Sequence, residues 1–181
     1  MDSGAIGVNG IREKGVVLEV AREVIRLNKE LYNNHLDIYL TRYTDTLISL
    51  ADRTKLPKAL QADVYVSIHC NQATRKEAQG IEVYIQHPKD LKIQDYRRES
   101  EYLAQSILDI FHNSLGYKIR GRKYANFQVL RETQSSCQGV LLELGFLSNT
   151  VDAAHSKRRE SITGFAIVIL QALIKESKRM D

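Results

Sequence analysis

The chain is poor in several residue types, and each scarcity excludes something. It has no tryptophan and only two cysteines, Cys70 and Cys137, in 181 residues. Two cysteines are too few for a disulfide scaffold, and they form no C-x-x-C pair that would bind a metal or run thiol exchange. With only Pro57 and Pro88 as prolines, there is no proline-rich linker. No apolar run approaches the ~18–20 residues of a membrane-spanning helix. No basic stretch followed by a hydrophobic one marks the N-terminus as a leader. Neither charge sign dominates: 26 basic against 22 acidic residues give +4, too mild to signal nucleic-acid binding. Familiar catalytic motifs are missing too: H-E-x-x-H, G-x-S-x-G and G-x-G-x-x-G do not occur. Gly116 to Lys123 has the glycine spacing of a phosphate-binding loop. However, Arg122 stands in place of its lysine, no serine or threonine follows, and a helical pattern precedes it.

What remains is an ordinary globular composition, 43% apolar and 27% charged, at the length of a single domain spanning 1–181. From Gly15 to about Asn33, Val16, Val17, Val20, Val24, Leu27 and Leu31 recur at helical spacing. Gly4, Gly7, Asn9 and Gly10 predict an irregular loop before that helix, with Glu13 at the junction. Strands are expected at Ile38–Thr41, Val64–His69, Ile81–Ile85 (closed by Pro88), Phe127–Leu130 and Val140–Phe146. Helices are expected after a capping pattern at Ser49–Asp52, broken by Pro57, from Tyr102 to a glycine stop at Gly116, and over Ile162–Ile174. This alternation predicts an α/β architecture with one central sheet.

Three polar residues stand where local context would not choose them: Glu13 at the loop–helix junction, His69 at a strand end and Glu143 inside an apolar strand. In open α/β sheets ligands gather beyond the carboxyl ends of strands, where His69 and Glu143 both lie. An imidazole and a carboxylate are usual ligands of catalytic zinc, and an unbound carboxylate can accept a proton from water, so metal-assisted hydrolysis is one reading. Plainer readings stand beside it: a hydrogen-bonded structural histidine, an acid favouring the helix dipole, and an acid paired to a buried arginine.

The ordered series Asp2-x-Gly4-Ala5-x-Gly7-x-Asn9-Gly10-x-x-Glu13-Lys14, Leu40-Thr41-Arg42, Leu50-x-x-Arg53, Ala62-Asp63, Ser67-Ile68-His69-Cys70-Asn71, Gly80-Ile-Glu-Val-Tyr84, Leu103-Ala104 and Leu142-Glu143-Leu-Gly145-Phe146-Leu-Ser-Asn149 resembles the zinc-dependent N-acetylmuramoyl-L-alanine amidases of the Amidase_3 type. The resemblance implies a single twisted mixed sheet with helices on both faces. It implies Glu13 and His69 as zinc ligands and Glu143 as the catalytic carboxylate, in a monomer that hydrolyses the bond between muramic acid and L-alanine in peptidoglycan outside the cytoplasm. No nucleic-acid binding is expected through the basic segment Gly116–Arg131. The family's first metal-binding histidine belongs to an Asp-Pro-Gly-His-Gly-Gly block at the end of a first strand, upstream of the match at Asp2. The expectation is therefore a sheet short of that strand, its histidine lying before Met1. The alternative is a peptidoglycan-binding or regulatory module impaired for catalysis by lack of that ligand. His35, His87, His112 and His155 are expected to be surface or loop residues. The acid-free basic segment Gly116–Arg131 is read as a solvated loop, with a lesser reading in which it faces the carboxylates of stem peptides. The stretch between Ile85 and Tyr102 is too short for the inhibitory helix of some family members.

Overall fold

The structure, a computed structural model, describes residues 4–87 and 96–180. The strand end expected at Pro88 lies outside those residues. Four strands, β1 (Val64–Asn71), β2 (Ile81–Gln86), β3 (Ile119–Ala125) and β4 (Gln138–Phe146), form one mixed sheet in the order β1-β4-β2-β3. β1 runs parallel to β4, β4 antiparallel to β2, and β2 parallel to β3.

Helices α1 (Glu13–Tyr32), α3 (Arg97–Leu115) and α6 (Arg159–Met180) cover one face of the sheet. The even-numbered residues of β4 and the odd-numbered ones of β2 point into this main core, among them Val140, Leu142, Ile81, Val83 and Ile85. The other face is covered less completely. There α4 (Gln128–Thr133), with α2 (Leu50–Leu60) packed on it, seals a smaller cluster of Tyr65, Val129, Leu130, Cys137 and Leu141. α5 (Thr150–His155) follows β4, capped by the Asn149 side chain, which accepts from the Val151 and Asp152 amides.

Three local expectations are corrected. Ile38–Thr41 is irregular because its stretch of chain is tied to α1 by side chains: Asn28 donates to the Leu36 carbonyl (2.8 Å) and accepts from its amide (3.3 Å), and Arg42 donates to the Lys14 carbonyl at 2.6 Å. Phe127–Leu130 is the start of α4, a case where a short apolar run does not separate strand from helix by period. The basic segment Gly116–Arg131 is not a solvated loop, since it contains β3, an edge strand whose charged residues discourage pairing with another chain. In addition, α2 continues through Pro57 to Leu60: the proline is buried, and its carbonyl accepts from Ala62.

Among the described residues β1 pairs with β4 alone, leaving its outer edge unpaired. A groove of about 990 Å³ runs along that edge, bounded by Val17, Leu36, Ile38, Leu40 and Val66 and reaching Glu13 and His69.

Candidate active site

The loop before α1 fixes Glu13. Gly4 and Gly10 take left-handed backbone angles (φ 62 and 69) that fold residues 4–12 back on themselves. Gly7 donates to the Ile11 carbonyl at 2.8 Å, and Val8 donates to the Leu147 carbonyl at 3.0 Å. Ala5 meets Glu13 twice: its carbonyl accepts from the Glu13 amide at 2.9 Å, and its amide donates to Glu13 Oε2 at 2.7 Å. Glu13 Oε1 is left facing β1, where it lies 2.7 Å from His69 Nδ1 and accepts from the Cys70 amide at 3.3 Å. The far ring nitrogen of His69 lies 3.1 Å from Ser67 Oγ. Burial alone would raise the Glu13 pKa, but the hydrogen bonds from His69 and the Ala5 amide outweigh it and hold the carboxyl below its ordinary value.

Register brings Glu143 to the same place. His69 on β1 is the strand partner of Glu143 on β4, and Glu143 is the partner of Glu82 on β2. Side chains of paired residues share a face, so His69, Glu143 and Glu82 form one row across three strands, next to the row Ser67, Leu141, Tyr84. The α4 residues Val129 and Leu130 pack over the second of these rows, in one cluster with Leu141 and Tyr84. Glu143 Oε2 is buried without a hydrogen-bond partner. Burial, with Glu13 and Glu82 nearby and His69 opposing them, pushes the Glu143 pKa up to about 7.

Glu82 has the opposite character. Only 1% exposed, it accepts from Asn71 Nδ2 (3.0 Å) and Tyr84 Oη (2.9 Å) on one oxygen, and from Arg120 Nε (2.5 Å) and Lys123 Nζ on the other. Burial would raise its pKa, but the bonds from Lys123, Arg120 and Tyr84 bring it below the ordinary carboxylate value. Sequence reasoning singled out Glu143 as an acid in an apolar run. It did not do so for Glu82, although Ile81–Ile85 carries the same signal.

The structure thus brings all three candidates together. Glu13 and His69 present a carboxylate and an imidazole in contact, a donor set that fits two positions of a catalytic zinc, and the unpartnered Glu143 oxygen stands beside them. No group of three metal-donor side chains occurs among the described residues. The other histidines are elsewhere. His35 and His112 are exposed, and His87 follows β2 with its ring against Tyr124. His155 differs from expectation: it sits in α5, hydrogen-bonded to Tyr117 Oη and packed against Phe165, and burial lowers its pKa. Both cysteines are buried and free, and burial raises their thiol pKa values, which disfavours the reactive thiolate.

The sequence matches the Amidase_3 family, described as N-acetylmuramoyl-L-alanine amidase, over residues 1–175. It is 36% identical over 157 residues to the N-acetylmuramoyl-L-alanine amidase LytC of Bacillus subtilis, covering 87% of this chain and 29% of LytC. It is 33% identical over 165 residues to the N-acetylmuramoyl-L-alanine amidase CwlM of Bacillus licheniformis, covering 91% of this chain and 60% of CwlM. The chain therefore spans less than two thirds of either relative. The catalytic domain of CwlV, an N-acetylmuramoyl-L-alanine amidase from Bacillus (Paenibacillus) polymyxa, superposes with a TM-score of 0.84 at 31% identity, over 98% of this chain and 92% of that one.

Proposed function

Since this chain belongs to the Amidase_3 family of N-acetylmuramoyl-L-alanine amidases, we propose that it hydrolyses the amide between the lactyl group of N-acetylmuramic acid and L-alanine in peptidoglycan, with zinc as cofactor. The observation that carries this reading is the placement of Glu143 in register with His69, itself in contact with Glu13 across 56 residues of sequence. Glu13 and His69 would hold the metal. When bound, zinc would supply a Lewis acid that polarises the amide carbonyl and makes water acidic enough to be a nucleophile near neutral pH.

The chain's own residues do the rest. Glu143, with an unpartnered oxygen beside the two ligands and no bond holding it, is suited to take a proton from the attacking water. The same carboxyl, once protonated, can hand that proton to the departing alanine nitrogen. The C–N bond breaks, a carboxylate remains on the lactyl group, and the stem peptide leaves with a free amine. Glu13 Oε2, held by the Ala5 amide, and Ser67 at the far nitrogen of His69 fix the orientation of both ligands. This reading places the chain outside the cytoplasm, where peptidoglycan lies.

A second reading is favoured by one observation, that only two metal donors converge among the described residues. In that reading the chain binds peptidoglycan without turning it over. Incubating zinc-loaded protein with purified peptidoglycan and measuring new L-alanine amino termini separates the two. The amidase reading expects their release, with Glu143→Gln lowering the rate ~10²–10⁴-fold. Retention on the polymer without release supports the binding module, and a Glu143→Gln variant as active as the parent would overturn the assigned mechanism.

A further inference from the structure

On β3 the strand partner of Glu82 is Gly121, which carries no side chain. Its neighbours Arg120, at the shift in register, and Lys123, the partner of Tyr84, reach over instead, and both are anchored on the same oxygen of the buried Glu82. Aromatic rings support them as well: the Arg120 guanidinium lies over Phe146 at 4.9 Å, and Lys123 Nζ over Tyr84 at 5.7 Å. One carboxylate facing two cations leaves a net positive charge. It also leaves donors to spare, because Glu82 takes only the Nε–H of Arg120 and one proton of Lys123. Both side chains remain about one third exposed, 30% and 36%, so neither is sealed from solvent.

We propose that Arg120 and Lys123 form a carboxylate-binding subsite for the stem peptide, an inference that rests on the amidase reading above. Glu82 acts as the positioning residue that holds the two cations in place. The spacing selects which carboxylate. The cation heads lie between β2, where Glu82 holds them, and β3, which is one to two strand spacings, roughly 5–10 Å, from β4 and its Glu143. An extended peptide covers about 3.5 Å per residue, so a group on the second residue beyond the hydrolysed bond can reach the pair. The ligand class is therefore an acidic peptide whose second residue bears a free carboxylate. A planar carboxylate on the spare guanidinium N–H groups makes charge-assisted, geometrically specific bonds that an uncharged amide does not. The subsite also explains why a basic edge strand lies beside a site otherwise rich in acids.

The test compares N-acetylmuramoyl-L-alanyl-D-isoglutamate with the corresponding isoglutamine amide, reading hydrolysis by the zinc-loaded chain. In parallel, calorimetry reads binding of the free dipeptides L-alanyl-D-isoglutamate and L-alanyl-D-isoglutamine to the same chain. The expected result is about tenfold tighter binding of the acid, seen in KM and not in kcat and weakened by salt. Arg120→Gln should abolish the preference and Lys123→Gln reduce it, while Arg120→Lys restores part of it, with unchanged circular dichroism in all three. Equal affinity for acid and amide in the parent protein, or a preference that survives Arg120→Gln, overturns the subsite. If neither muramoyl compound is hydrolysed but the dipeptide preference persists and depends on Arg120, the amidase reading fails and the subsite stands.

Discussion

Oε1 of Glu13 lies 2.7 Å from Nδ1 of His69, joining the first residue of α1 to the end of the edge strand β1. Neither side chain has freedom to leave. Glu13 is clamped by the Ala5 amide on its other oxygen, and His69 meets Ser67 through its other nitrogen. If these are the zinc donors, Glu13→Gln and His69→Ala should each lower zinc affinity by at least about tenfold, with little change in secondary structure. Metal content after gel filtration, by atomic absorption, checks this, and stoichiometric zinc in both variants would place the metal elsewhere.

Gly4 tests the same contact from the backbone side. Its φ of +62 disfavours any side chain, and a Cβ there would sit 2.4 Å from Glu13 Oε2 and 2.9 Å from Glu13 Cβ. Gly4→Ala should therefore displace the Glu13 carboxylate and weaken zinc binding by about tenfold, although it removes no donor. Titration with a competing chelator measures the loss, and an unchanged affinity would show that the loop does not set the position of Glu13.

Glu13, His69 and Glu143 were legible in the sequence because each is a polar residue that its local pattern does not require. Their meeting was not, because it depends on strand register, and a one-residue slip of β1 against β4 would send His69 to the other face. β3 was missed for a physical reason: on an edge strand charged residues replace the apolar alternation that marks a buried one, as at Arg120, Arg122 and Lys123. Phe127–Leu130 misled in the reverse direction. Val129 and Leu130 are both buried against the sheet, so consecutive apolar residues reflected one short helix lying flat. The irregular course of Ile38–Thr41 depends on Asn28 and Arg42, whose bonds reach across turns that no local window contains.

Asp152 should be a structural keystone. Its Oδ2 accepts from the Phe146 amide at 2.8 Å and the Gly80 amide at 3.0 Å, tying the end of β4 to the entry of β2. Asp152→Ala leaves both donors unmet and should cost about 2–3 kcal/mol in urea unfolding, while Asp152→Asn, which keeps an acceptor, should cost less. A loss within about 0.5 kcal/mol for the alanine variant would mean that water replaces the carboxylate.

Glu23 should contribute to the loss of stability in acid. It is 3% exposed and accepts from Arg26, Arg159 and Thr163. The Arg26 bonds lead in lowering its pKa from near 4.5 to about 2. A carboxylate whose folded-state pKa is depressed contributes stability that is complete above pH 4.5 and lost as pH falls toward 2. Glu23→Gln should thus be less stable than the parent by about 2 kcal/mol at pH 7, with the difference vanishing near pH 2. Thermal melts across that range measure it, and a pH-independent difference would show that packing, not charge, accounts for the loss.

Glu143 should show the opposite sign. Its pKa rises from 4.5 to about 7 on folding, so at pH values between these the folded metal-free protein holds a proton that the unfolded chain releases. Stability then falls as pH rises from 4.5 to about 7 and levels off above, where the carboxylate is ionised in both states. Glu143→Gln keeps the shape and removes the charge. It should match the parent near pH 4 and exceed it by about 2 kcal/mol at pH 8, less than the full conversion of the shift because the side chain is not fully buried. A buried carboxyl oxygen with no hydrogen-bond partner works against folding, and it is also free to exchange a proton. Urea unfolding of both proteins at the two pH values, with chelator present, decides it. If Glu143→Gln is no more stable than the parent at pH 8, the carboxylate is better solvated than its place in the row implies.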